Sequence, residues 1–240
     1  MGGDLAGKTV LVAGAGSGMG RATAIAAARA GARLILLSRN LKALEEVLAG
    51  LPVAEAAHRI AAADAADAAA LAAACPGDLL AEIDIAVNSV GTNLVNRAFD
   101  LLTPESWAGM MDANLTAAFN LARLLVPAFR ARGGGVLINI ASTAARKPDR
   151  SGAAYQASKA GVVALTHALT EEEWENGLRA TAIMPGMTDT PLLDKRPVPV
   201  SADARAAALQ PEDVAAACLF VMTLPPRAHV TELTIQPSRR

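Results

Sequence analysis

The chain has 240 residues, 52% of them apolar, and a net charge of −1 from 22 basic and 23 acidic side chains. That length suits one large α/β domain, which buries enough surface to need no disulfide or metal staple. The charge balance leaves no broad basic face for nucleic acid, and the two cysteines, Cys75 and Cys218, stand too far apart to form a ligand cluster or to indicate an oxidising compartment. Taken in chain order, short, nearly continuous apolar runs predict strands at residues 9–13, 34–37, 59–62, 83–87, 136–140, 179–183 and 232–235. Continuity, in place of alternation, is expected of parallel strands covered on both faces. Longer stretches between them predict helices at 19–30, 41–48, 65–74, 104–132, 152–176 and 211–223. Pro104 and Pro211 suit first helical turns, and Gly31, Gly50 and Gly177 suit C-terminal caps. This alternation implies a doubly wound parallel sheet of about seven strands with helices on both faces. There is no internal repeat or linker, so 1–240 reads as a single domain.

The first strand runs into Gly14-Ala15-Gly16-Ser17-Gly18-Met19-Gly20 and then into a helix. Bare N–H groups and the positive helix end make such a turn an anion site, and absent Cβ atoms let a phosphate approach closely. Gly14, Ser17, Gly18, Met19 and Gly20 are therefore candidate cofactor contacts. Arg21 after Gly20 excludes a Walker A loop, which needs Lys and then Ser or Thr. The second strand ends in Ser38-Arg39-Asn40. An acid there would take the ribose hydroxyls of NAD and repel a 2′-phosphate. A hydroxyl and a guanidinium suit the phosphate, so NADP(H) is expected over NAD(H), with Ser38 and Arg39 as contacts. Asp64, after the third strand, could accept from the adenine amino group, cap the next helix, or do both.

Together these features resemble the classical short-chain dehydrogenase/reductase family over nearly the whole chain, with its Rossmann-type α/β fold. The family's T-G-x-x-x-G-x-G appears as 13–20 with Ala13 in place of threonine, and its N-N-A-G as Asn88-Ser89-Val90-Gly91. Its Y-x-x-x-K is Tyr155-Gln156-Ala157-Ser158-Lys159, Ser142 stands 13 residues before that tyrosine, the helix asparagine is Asn114, and P-G-x-x-x-T is Pro185-Gly186-Met187-Thr188-Asp189-Thr190. The resemblance implies catalysis by Asn114, Ser142, Tyr155 and Lys159. It also implies further cofactor contacts from Asn88, Gly91, Tyr155, Lys159, Pro185, Gly186, Thr188 and Thr190. The residue types suit the chemistry. A phenol used as a base near pH 7 must fall by roughly three pH units, or about 4 kcal/mol. Lys159, at i+4 on the same helix face, would favour phenolate. Ser142 would orient the substrate oxygen, and Asn114 would hold a water leading from Lys159 to solvent. Tyr155 is the only tyrosine in the chain. Ser89, Val90 and Ala13 depart from the family pattern without touching these reacting groups.

In the family, the segment 188–210 covers the substrate and sets specificity. Here it is short and carries Lys195 and Arg196, while Arg146, Lys147 and Arg150 lie between Ser142 and Tyr155. A carboxylate or phosphate on the substrate would explain these charges, and a solvated rim would explain them equally. The ending Glu232-Leu233-Thr234-Ile235-Gln236-Pro237 resembles the branch that contains serine and other 3-hydroxy acid dehydrogenases. A small 3-hydroxy acid or its keto form is the favoured substrate; a generic ketone or aldehyde reductase is the alternative. A non-catalytic dinucleotide-binding redox sensor or a methyltransferase would not be expected to keep Ser142, Tyr155 and Lys159. His58, His167 and His229 lack metal-ligand spacing, so no metal is expected. Trp107 and Trp174 read as core or interface anchors, and 171–173 as a solvated acidic face. By resemblance the long helices at 104–132 and 152–176 would build a homodimer or homotetramer. Residues 1–8 lack a secretory layout, and no uncharged apolar run approaches the ~18 residues of a membrane span. The expected setting is the cytoplasm, with a small-molecule substrate and neither nucleic acid nor membrane as partner.

Overall fold

Each of the seven apolar runs contributes a strand; the central ones are buried on both faces, whereas those at 59–62 and 232–235, at the two edges of the sheet, are partly exposed. The strands are β1 (Thr9–Ala13), β2 (Arg33–Ser38), β3 (Arg59–Ala62), β4 (Ile85–Asn88), β5 (Gly135–Ile140), β6 (Leu178–Pro185) and β7 (Glu232–Ile235). The computed structural model describes residues 5–52 and 57–238, so part of the leader reading at 1–8 lies outside the described residues. All strand pairings are parallel, in the order β3-β2-β1-β4-β5-β6-β7. The helices are α1 (Gly18–Arg29), α2 (Leu41–Ala49), α3 (Ala68–Ala74), α4 (Gly77–Ala81), α5 (Pro104–Met111), α6 (Ala117–Ala131), α7 (Ala153–Glu173), α8 (Ala202–Ala207) and α9 (Pro211–Met222).

Strand residues alternate between two separate cores. Val10, Val12, Leu34 and Leu36 pack with Ala24 and Ala27 of α1 and Val214 and Cys218 of α9. Leu11, Ala13, Ile35 and Leu37 pack with Leu121, Leu125 and Phe129 of α6. Strand order runs outward in both directions from the β1–β4 pair, and at such a switch point the loops leaving the strand ends diverge and open a crevice. Register places Ala13 beside both Leu37 and Asn88, and Asn88 beside Asn139, so the ends of β1, β2, β4 and β5 meet one crevice. A buried amide chain pins that edge: Asn88 donates to Asn139 (3.0 Å), and Asn139 donates to Thr166 of α7 (3.0 Å).

Several expectations change in detail. The helix predicted at 104–132 divides at a wide π turn, Asp112–Thr116, between α5 and α6. The helix predicted at 65–74 begins at Ala68, because Asp67 and not Asp64 caps it, accepting from the N–H groups of Ala69 and Ala70. The short α4 follows unforeseen. Gly31 and Gly177 adopt positive φ, +94° and +77°, as helix-terminating glycines do, whereas Gly50 caps α2 at φ −95°. Trp107 and Trp174 are exposed and not core. Glu173 is buried, not solvated: Arg130 pairs with it and Asn176 donates to it, and the Arg130 hydrogen bond holds its carboxyl below the usual carboxylate range. Among the described residues no helix is long and apolar enough to cross a membrane.

Candidate active site

The glycine turn is built by backbone crowding. Gly14 has φ +81°, and a Cβ there would stand 2.8 Å from the Ser89 backbone. A Cβ on Gly20 would meet the Gly14 carbonyl oxygen at 2.2 Å, so α1 can lie against the turn only with glycine at that position. Gly18 has φ +51°, and Thr190 packs over it, 3.2 Å from where a Cβ would be. Ser17 flanks α1 without spending its hydroxyl on the cap. The turn therefore shows open N–H groups at a helix start, which suits a diphosphate. It faces a groove of about 570 Å³. Gly14, Ser17, Gly18 and Met19 form its floor; Ser38, Arg39 and Asp64 line one end; Gly91, Thr92, Thr190 and Lys195 line the other. A Cβ on Gly16 would press on Ala43 and on the Ser38 hydroxyl at 3.2 and 3.3 Å, so the cradle is shaped for a ligand that uses backbone, and the groove fits an extended dinucleotide.

The other expected contacts lie off the groove wall. Gly20 packs beneath the turn. Asn88 accepts from Val90 N–H besides bonding Asn139. Pro185 ends β6, Gly186 abuts Pro237, and Thr188 bonds the Gly186 carbonyl. At the adenine end Arg39 is exposed, with its guanidinium 3.5 Å from the Asp64 carboxylate, which also accepts from Ala66 N–H.

The reacting groups come from β5, the π turn and α7. Ser142 follows β5 and accepts from Ala144 N–H at 3.1 Å. Tyr155 and Lys159, one turn apart on α7, are 9% and 5% exposed. Lys159 Nζ donates to the Ile140 carbonyl at 3.0 Å. A Cβ on Gly91 would lie 3.0 Å from that Nζ and 3.2 Å from Asn114 Oδ1, so only glycine lets the groove wall pack directly on the buried lysine and asparagine; Ser142, Tyr155 and Lys159 lie behind that wall. Asn114 is fully buried. It accepts from Thr92 N–H (2.8 Å) and donates to the Thr92 carbonyl (3.1 Å) and to Ser158 Oγ (2.9 Å). Its side chain thus ties the loop after β4 to the helix that carries Tyr155. Wide turns of this kind insert one residue into a helix and often mark functional positions.

Burial pushes the Tyr155 phenol above its ordinary value, the reverse of the fall expected from Lys159, which is not among the charges acting on it; the Ser142 hydrogen bond draws it down, Asp149 raises it, and the charges of Arg97 and Arg196 lower it. Burial also lowers Lys159, to about 8. Arg97 escaped the sequence reading, lying in an irregular segment, 92–98, without a motif. Of the expected basic rim, Arg146 pairs with Glu232, whose carboxylate is also 2.9 Å from His167. Arg146 and Lys147 border a second cavity of about 470 Å³ with Thr143, Met184, Gly186 and Met187, while Arg150 is exposed and lines neither cavity. Lys195 donates to Thr92 Oγ1 at 2.6 Å. His58 is tied to backbone at Leu34 and Pro52, and His229 at Ala180. Among the described residues no cluster could hold a metal ion.

The sheet order, the glycine cradle and the groove define a dinucleotide-binding α/β protein. Residues 8–198 match the short chain dehydrogenase family, and the chain belongs to it. It is 30% identical over 232 residues to an uncharacterised oxidoreductase of Staphylococcus epidermidis, covering 96% of this chain and 97% of that one. A serine dehydrogenase in its closed form, complexed with NADP+, superposes with a TM-score of 0.87 at 29% identity, covering 97% and 96%. A 3-ketoacyl-(acyl-carrier-protein) reductase from Brucella melitensis, complexed with NADH, gives 0.87 at 29%, covering 98% and 99%. The chain is accordingly an oxidoreductase of the class acting on CH–OH groups.

Proposed function

We propose that this chain is an NADP(H)-dependent oxidoreductase interconverting an alcohol and a carbonyl, with a small 3-hydroxy acid and its 3-keto form as the substrate pair. One observation carries the reading. Tyr155 and Lys159 are buried one turn apart on α7, with the Ser142 hydroxyl acting on the phenol, directly behind the groove wall at Gly91. When bound, the nicotinamide supplies the hydride acceptor or donor. The Gly14–Gly20 turn would hold the diphosphate, Ser38 and Arg39 a 2′-phosphate, and Lys159 the neighbouring ribose. Tyr155 gives its proton to the carbonyl oxygen, or takes one from the alcohol, while Ser142 orients that oxygen. The choice of NADP(H) rests on the exposed Arg39 guanidinium at the adenine end. The choice of substrate rests on the basic residues about the cover and on the likeness to serine dehydrogenase.

The same reading makes 1–240 one catalytic domain with 188–210 as the substrate cover, working in the cytoplasm as a homodimer or homotetramer. Exposed Trp107 of α5 and Phe119 of α6, 41% and 48% accessible, suit such a contact. The test is turnover of 3-hydroxy acids, secondary alcohols and ketones with both dinucleotides in parallel. NADP(H) is expected to lead in kcat/KM by at least about tenfold, with Arg39→Gln erasing that lead. An intrinsic preference for NAD(H) overturns the assignment to Arg39.

A further inference from the structure

Apart from Lys159 itself, Arg97 is the most confined cation near the reacting groups. It is 9% exposed, and its Nε is buried without a hydrogen-bond partner. Its guanidinium donates to the Lys195 carbonyl oxygen. Among the described residues no carboxylate forms an ion pair with it. Asp149, whose charge reaches it, instead accepts from Ser151 N–H at 2.8 Å. A buried cation served by neutral acceptors carries a desolvation cost that an anion would relieve.

Its position is set by three segments. A Cβ on Gly152, which has φ +92°, would collide with the Arg97 carbonyl oxygen at 2.7 Å and its Cβ at 2.8 Å, so Arg97 lies against the start of α7, three residues before Tyr155. Asn93 donates to the Ser151 carbonyl at 3.1 Å and anchors the same loop to the same helix start. From the other side come Lys195, bonded to Thr92, and Arg196. Arg97 and Arg196 both bear electrostatically on the phenol. Arg146, by contrast, already has Glu232.

We propose that Arg97, with Arg196 beside it on the cover, recognises the carboxylate of the substrate and so selects hydroxy acids over neutral alcohols. The carboxylate takes the place of the Lys195 carbonyl as acceptor and satisfies the idle Nε, while the hydroxyl end of the same molecule lies toward Ser142 and Tyr155. This rests on the oxidoreductase reading above and adds to it the residue that sets substrate class.

The experiment compares 3-hydroxybutanoate with its methyl ester, each with NADP+, in wild type, Arg97→Gln, Arg97→Lys and Arg196→Gln. Arg97→Gln is expected to lower kcat/KM on the acid about 10- to 100-fold, chiefly through KM, as loss of a charge-assisted hydrogen bond does. Turnover of the ester should also fall, because the phenol loses the Arg97 charge and the cover loses a bond, but by at least about tenfold less than that of the acid. Arg97→Lys should restore part of the loss on the acid, and Arg196→Gln should lose less. In parallel, the acid should raise the melting temperature of wild type and not of Arg97→Gln. Equal losses on acid and ester reduce Arg97 to a latch for the cover and overturn the proposal. So does an unchanged acid preference. Wild-type turnover confined to neutral ketones also overturns it while sparing the oxidoreductase reading; absence of hydride transfer on every substrate in the broad panel defeats that reading itself.

Discussion

The two ends of the groove are built by different physics. The end that cradles the dinucleotide is made of backbone, with β1, β2 and β4 in fixed register and glycines where no Cβ fits. The end proposed to meet the substrate is clasped by side chains from segments far apart in the chain. Lys195 reaches Thr92, Arg97 reaches the Lys195 carbonyl, and Arg205 of α8 pairs with both Asp189 and Asp194. A backbone-built cradle is rigid and indifferent to which surface residues surround it. A clasp of polar side chains can open, and its residues can change without harming the fold.

The largest expected effect lies at the seam between the two ends. Tyr155→Phe removes one oxygen from a buried ring and leaves the cradle intact. Turnover should fall by about 10²–10⁴-fold on all substrates, while NADPH still raises the melting temperature as in wild type. Equal turnover by the variant would show that another group moves the proton. Next comes the cradle. Gly20→Ala puts a methyl group where the Gly14 carbonyl oxygen stands 2.2 Å away. The clash is with backbone and cannot be relieved by a rotamer. A cost of about 1–3 kcal/mol or more is expected, read as a lower denaturation midpoint together with weakened NADPH binding. Were the midpoint unchanged, the cradle would be more yielding than its register implies.

The contrast also governs how much the sequence discloses. Parallel strands announce themselves as apolar runs, because β1 from Thr9 to Ala13 is buried throughout. The glycine turn is equally plain, since its geometry depends on residues adjacent in the chain. The π turn at Asp112–Thr116 left no such mark. The apolar pattern of 104–132 continues through it, and what holds the turn is the bond from Asn114 to Thr92, 22 residues away. Asp64 was the expected cap of the helix after β3, and Asp67 takes that place because the chain leaving β3 starts the helix only at Ala68. Arg97 was invisible for a similar reason. Its burial comes from Gly152 and Lys195, contacts that no local pattern encodes. Glu173 looked solvated in an acidic run until Arg130, on another helix, closed over it.

Lys159 joins both ends and gives a subtler test. Burial lowers its pKa from the ordinary lysine value to about 8, so the folded protein disfavours the charged form. The penalty is complete below about pH 8, shrinks as pH rises, and vanishes above the unfolded-state value. A shift of this size corresponds to roughly 3 kcal/mol, against which stands about 1–2 kcal/mol for leaving the Ile140 carbonyl without its donor. Lys159→Met should therefore be inactive yet about 1–2 kcal/mol more stable than wild type at pH 7, the advantage narrowing between pH 8 and 10. Denaturation midpoints across that range check the sign. An advantage that widens with pH would mean the lysine is stabilised as a cation.

The smallest effect on stability is expected at the clasp, where it separates the two ends most cleanly. Arg205 is partly exposed, 30% by side chain, and its pairing with Asp189 at 2.7 Å ties the start of the cover to α8 near its end. Solvent-screened ion pairs at such sites contribute little, so Arg205→Gln should shift the melting temperature by no more than about 2–4 °C. Arg205 does not line the dinucleotide groove, so the NADPH dissociation constant should stay near its wild-type value. KM for the substrate should rise, because a loosened cover closes over it at greater entropic cost. If cofactor affinity falls in step with substrate affinity, the contact of Thr190 on Gly18 couples the two ends, and the substrate cover then also helps to hold the cofactor.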